Sequence, residues 1–206
     1  NPACQIPVEE FNPDIILVTH GHSDHLGDAM ELSNKNNVPV AAIHEISLFL
    51  SKQGINNIGV NIGGSFIYRG VKFTMLDAKH SSVLDIVEEP LPAGDAASFL
   101  ITLEDGTKLF HAGDTGLFGD MKTIIGEIYK PDIALLPIGD KFTMGPFEAA
   151  LATRWIDSKV AIPMHYNTFP PIEQDPSIYA NFVSQLNPNI DVVILNPGEY
   201  FEYNPE

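Results

Sequence analysis

Short apolar runs and amphipathic segments alternate along this chain. The runs cover residues 14–19 (DIILVT), 38–43, 71–76, 97–103, 108–110, 132–138, 160–164 and 191–195, and several are apolar at nearly every position. Strands buried on both faces have this pattern, because helices cover each side of their sheet. Between the runs, residues 26–34, 45–53, 121–129, 147–157 and 177–186 carry apolar side chains at helical spacing. The rhythm predicts an α/β fold. Phe147, Leu151 and Trp155 form a stripe at i, i+4 and i+8 behind Gly145-Pro146, which reads as a helix start followed by a core-packing face. Residues 65–68, 71–76, 97–103 and 108–110 are joined partly by the turns Arg69-Gly70 and Glu104-Asp105-Gly106. Those turns predict antiparallel hairpins, so the sheet is expected to be mixed. The acidic stretch 85–95 (DIVEEPLPAGD) reads as an exposed loop, either a solvated connection or a flap over a site beside His80.

No repeat, low-complexity tract or linker divides the 206 residues, so a single domain over 1–206 is expected. Lys and Arg total 11 against 27 Asp and Glu, a net charge of −16. A cationic face for nucleic acid or an anionic membrane is therefore unlikely to form. The single cysteine, Cys4, excludes an internal disulfide and a thiolate cage. With no apolar run long enough to span a bilayer, the expected address is the cytoplasm.

Candidate chemistry lies with the histidines. His20, His22, Asp24 and His25 fall within six residues at the end of the first buried run. In an extended chain His20 and His22 share one side, and a turn at Ser23 brings Asp24 and His25 round from another direction. Neutral imidazole and carboxylate are ligands for zinc, manganese or iron, and crowding so many is hard to explain without a cation to offset their repulsion. His80, Asp114 and His165 each follow an apolar run at the edge where ligands bind in α/β sheets. Together these seven side chains suit two cations sharing one carboxylate. His111 and Asp140 are candidates to orient a ligand or the substrate, Asn167 is a candidate substrate donor, and His44 reads as structural or surface.

The pattern resembles the metallo-β-lactamase fold hydrolases. Their HxHxDH signature stands here as His20, His22, Asp24 and His25, followed in order by His80 in AKHSS, Asp114 in HAGDT and His165 in PMHYNT. Within that superfamily, VTHGHSDHLGDA, HAGDTGLFGDM, LLPIGDKFTMGP and IPMHYNTFP resemble metal-dependent hydrolases related to the ascorbate-phosphate lactonases. The resemblance implies a four-layer αββα sandwich of two mixed sheets, with an N-terminal hairpin that precedes the first residue here and is apparently missing. It also implies that His20, His22 and His80 hold one metal, that Asp24, His25 and His165 hold the other, and that Asp114 bridges.

The implied activity is hydrolysis of a small ester, lactone or phosphodiester by a hydroxide bridging two divalent ions. Zinc is expected first, with manganese, iron or nickel as alternatives, and Asp24 and Asp114 are the carboxylates expected to act in catalysis. An iron-dependent oxygenase on the same fold and a small RNA or nucleotide phosphodiesterase are the rival readings. A small-molecule substrate is expected, and a homo-oligomer is compatible with the sequence.

Overall fold

A computed structural model describes residues 3, 4 and 6–205. Its larger sheet has seven strands in the order β12-β11-β10-β9-β8-β5-β4, formed by β4 (Ser65–Tyr68), β5 (Val71–Asp77), β8 (Ala97–Thr102), β9 (Lys108–His111), β10 (Ile133–Pro137), β11 (Val160–Met164) and β12 (Asp191–Val192). It is mixed for the expected reason. Tight turns make β4-β5 and β8-β9 antiparallel, with Arg69 and Gly70 both at positive φ and Gly106 at φ 88°. From β9 to β12 the pairings are parallel, because a helix intervenes between each strand and the next.

The smaller sheet contains β1 (Ile16–Leu17), β2 (Val40–Ile43) and β3 (Asn57–Val60), parallel throughout. Strand β3 has no counterpart among the apolar runs of the sequence, since Asn57 and Gly59 interrupt its pattern. Gly59 is required by packing: a Cβ there would come 2.5 Å from Ser47 Oγ on helix α3 (His44–Lys52). A third pairing joins β6 (Val83–Leu84) to β7 (Leu91–Pro92), so part of the 85–95 stretch is the arm of a small hairpin.

Two cores account for the layers. On one face of the large sheet, Leu76, Leu100, Phe110 and Leu136 pack under helix α4 (Pro146–Ile156), helix α5 (Pro176–Leu186) and a wide π-helix over Met121–Tyr129. On the other face, Met75 and Phe99 meet Val18 and Ala42 of the small sheet, with Ile46 and Leu50 of α3 beyond. The result is helices, sheet, sheet, helices, as expected. At ~25 cal/mol per Å² of buried apolar surface, these two cores are the dominant favourable term in folding.

Local details differ from the sequence pattern. The expected helix 26–34 is split into α1 (Ser23–Leu26) and α2 (Ala29–Asn36) by Gly27 at φ 40°. Of the Phe147, Leu151 and Trp155 stripe, Trp155 packs partly buried against the core and Leu151 is half-buried, while Phe147 is exposed, so the stripe is not the most buried face of α4. Ala149, Ala150, Thr153 and Ile156 are buried there, and small side chains let the helix lie close to its neighbours. Phe147 instead packs edge-on against Phe182 of α5, ring centroids 5.3 Å apart. Where the π-helix meets α4, Gly126 leaves room for the Trp155 carbonyl, which a Cβ would approach to 2.2 Å. Among the described residues no helix is long and apolar enough to cross a membrane.

Candidate metal centre

Strand direction brings the seven candidate side chains together. Because β8 runs between β5 and β9 and is antiparallel to both, β5, β9 and β11 all point the same way. Their carboxyl ends deliver His80, Asp114 and His165 to one edge, where β1 delivers His20 from the smaller sheet. His22 occupies the cap position of α1, whose single turn carries Asp24 and His25. His165 sits at φ 56°, a left-handed conformation that a non-glycine residue adopts at a cost, directly after β11.

The geometry centres on Asp114. Its Oδ2 lies 3.3 Å from His25 Nε2, 3.3 Å from His165 Nε2 and 3.7 Å from His80 Nε2. Asp24 Oδ2 stands 3.5 Å from His25 Nε2 and 3.6 Å from His165 Nε2. On the other side, His20 Nε2 and His22 Nδ1 are 3.0 Å apart. Three sets have ligand atoms mutually within 4.8 Å: His20, His22 and His80; His20, His25 and Asp114; and Asp24, His25 and His165. The first and last are the two triads that the family resemblance implies, and Asp114 belongs to the middle set.

The donor atoms fit a cation better than they fit one another. His25 Nε2, His165 Nδ1 and Asp114 Oδ1 are buried without a directed hydrogen bond, and orphaned buried polar atoms cost free energy unless something unseen satisfies them. Burial lowers the His20 imidazole to about 2, with the nearby His25 adding to the effect. Burial would also lower His25, but the adjacent Asp114 and Asp24 carboxylates raise it overall. For Asp114 burial acts upward, and the surrounding His25, His165 and His20 nevertheless hold its carboxyl below the usual range. Imidazole and carboxylate bind metal as the neutral ring and the ionised acid, so a cation here would compete with the proton that the carboxylates favour on His25.

Supporting contacts come from residues that sequence reasoning passed over. The Thr19 hydroxyl is 3.0 Å from His20 Nδ1, which fixes the ring and leaves Nε2 facing the cluster. The Ser82 hydroxyl accepts from the Gly21 N–H at 3.2 Å, and Gly21 lies so close to the β6-β7 hairpin that a Cβ would meet Ala93 Cβ at 2.7 Å. The acidic stretch is thus docked beside the HxHxDH loop. The Thr115 hydroxyl accepts from the Lys79 N–H at 2.9 Å and so ties the segment of Asp114 to that of His80. Their only sequence signal is adjacency to a ligand candidate.

The remaining candidates separate. His111 lines the same cleft as Asp114 and His165. Its Nδ1 accepts from the Gly113 N–H at 3.2 Å, and burial pushes its imidazole down to about 4. Asp140 stands in a turn at φ 66°, its N–H donating to the Met144 carbonyl at 3.0 Å. The Asn167 side-chain carbonyl accepts from the Gln174 N–H at 2.8 Å, which gives it a loop-holding role. His44 is exposed at the start of α3. A cleft of about 870 Å³ opens beside the cluster, bounded by Asp24, His25, His165, Met164, Leu26 and Phe169 among others.

Comparisons with known proteins agree with this geometry. Residues 1–166 match the family described as "Beta-lactamase superfamily domain". A UPF0173 metal-dependent hydrolase of Methanosphaera stadtmanae is 55% identical over 97% of this chain and 86% of its own length. A relative with the same description from Methanopyrus kandleri is 48% identical over 98% of this chain and 87% of its own. Among solved structures, the metallo hydrolase Igni18 of Ignicoccus hospitalis superimposes with a TM-score of 0.88 at 38% identity, covering 99% of this chain and 88% of that one.

Proposed function

Because the chain belongs to the beta-lactamase superfamily and, within it, to the UPF0173 metal-dependent hydrolases, we propose that it cleaves a small ester, lactone or phosphodiester at a centre for two divalent cations. His20, His22 and His80 would hold one cation, Asp24, His25 and His165 the other, and Asp114 would stand between them. Zinc suits this imidazole and carboxylate set, and manganese, iron and nickel are the alternatives. Bound there, the cations would supply an acidified water and a Lewis acid for the scissile oxygen.

The chain's own groups do the rest. Asp114, buried between the two triads, sets their spacing and offsets their positive charge. Asp24 is half exposed at the rim of the cleft, where it can take up or pass on a proton from the reacting centre. His111, with Nδ1 accepting a backbone N–H, carries its proton on Nε2 and is neutral near pH 7, so it can donate a hydrogen bond without being a charged acid. Thr19 keeps His20 in its ligating orientation.

The observation that carries this reading is the convergence of three imidazole nitrogens within 3.7 Å of one buried carboxylate oxygen. Its test is turnover of a panel of small esters, lactones and phosphodiesters by protein loaded with zinc or manganese. Hydrolysis that disappears on chelation and returns on adding back the ion is the expected result. Hydrolysis indifferent to chelator would contradict it.

A further inference from the structure

Phe169 stands in the lining of the cleft and Phe142 stands behind it, neither ring belonging to either core. Phe142 is 46% exposed and Phe169 is 39% exposed, and their ring centroids are 6.3 Å apart with an interplanar angle of 31°. They come from different loops, one after β10 and one after β11, so the contact bridges two segments beside the centre. Phe169 itself lines the cleft, four residues beyond His165.

Both loops are closed by backbone hydrogen bonds. The first loop turns at Asp140 (φ 66°), closes through the Thr143 N–H to the Asp140 carbonyl at 2.9 Å, and is pinned by the Met144 N–H to the Thr115 carbonyl at 3.0 Å. The second turns at Asn167 (φ 59°), donates the Asn167 N–H to the Ile172 carbonyl at 3.0 Å, and is anchored by the fully buried Ile172. Apolar surface fixed in water is unfavourable to the free protein but costs a ligand little ordering when it binds.

Charge narrows what would bind. Among the described residues lining the cleft, Asp24, Asp28 and Asp114 are present and no Lys or Arg is. The nearby Lys141 ammonium lies 5.4 Å from the Phe142 ring centroid, placed against that ring. Within the cleft lining itself an anionic substituent therefore finds no side-chain cation, the Lys141 ammonium standing behind on Phe142, whereas a flat, uncharged ring finds the face of Phe169 backed by Phe142.

We propose that Phe142 and Phe169 form a specificity wall for an uncharged aromatic or comparably flat apolar group next to the scissile bond. This rests on the hydrolase reading and adds to it the kind of group the substrate carries beside the scissile bond.

The test uses full-length metal-loaded protein and the variants Phe142→Ala, Phe169→Ala and the double variant. Turnover of benzyl acetate is compared with that of methyl acetate, and binding of N-benzylacetamide, which need not be hydrolysed, is followed by ligand-observed NMR. In the double variant the preference for the benzyl ester is expected to fall by about tenfold or more, through KM more than kcat, since burial of an aromatic side chain and ring pairing are both lost. N-benzylacetamide binding should weaken in parallel while metal content and circular dichroism stay as in the parent. Binding of the benzyl probe that is equal in parent and double variant would overturn the wall even if esters are hydrolysed. Failure to hydrolyse any ester, with benzyl binding still dependent on the two rings, would count against the reaction and uphold the wall.

Discussion

Replacing Asp114 with alanine is expected to lower kcat/KM by at least about a thousandfold, because metal-centred charge stabilisation supplies several kcal/mol and each 1.36 kcal/mol is worth tenfold. Asp114 is 4% exposed and its Oδ2 is the atom that His25, His80 and His165 all approach. Removing it takes away the buried carboxylate shared between the two halves of the site and leaves only Asp24, at the rim, to offset the charge of bound cations. Asp114→Asn tests charge separately from shape, and it should be nearly as damaging, since the amide cannot neutralise two cations. His22→Ala removes a member of only one triad and should also abolish turnover while the chain stays folded, as His22 lies at the cap of α1 outside both cores. Steady-state kinetics beside circular dichroism decide the matter. Full activity in either alanine variant would contradict the assignment.

The second large effect is on stability. His20, His25 and Asp114 stand close together in a buried space, with His25 Nε2 lacking a directed hydrogen bond. An ion that binds the folded chain stabilises it by about 4 kcal/mol when present at a thousand times its dissociation constant. For a chain of this size each kcal/mol moves the midpoint by roughly 2–4 °C. Zinc or manganese added to chelator-stripped protein is therefore expected to raise Tm by about 8–16 °C in a thermal scan. The rise should shrink as the pH falls through the raised value of His25, the imidazole here that its neighbouring carboxylates hold protonated to the higher pH, because that proton competes with the ion. A midpoint indifferent to metal at neutral pH would mean that the cluster does not bind it.

Much of this site is written in the chain because its ligands sit at strand ends. The run DIILVT goes from an exposed Asp14 through half-buried isoleucines and leucine to buried Val18 and Thr19, and it hands on directly to a fully buried His20, a polar side chain that the apolar run carries into the interior. The same logic located His80, Asp114 and His165. What the pattern could not show is which faces meet. The α4 stripe of Phe147, Leu151 and Trp155 is the more apolar side by residue type, yet the closely packed side is built from Ala149, Ala150 and Thr153, because closeness selects small side chains and not hydrophobic ones. Strand β3 escaped for a related reason, since Gly59 is there to admit Ser47 and breaks the alternation that marks a strand. The helix 26–34 divides because Gly27 takes a positive φ, and that break frees α1 as a separate turn for Asp24 and His25. The loop contact in which the Asn167 side-chain carbonyl accepts from the Gln174 N–H is likewise one that no local pattern encodes.

The most direct measurement of the central claim is the metal content of tag-free protein purified without chelator, in the parent and in Asp114→Ala. Two divalent ions per chain in the parent, falling in the variant, is the result this account predicts. A single iron with oxygen uptake would point instead to oxygenase chemistry on the same fold, and a parent that retains no metal when supplied with zinc or manganese would contradict the account outright.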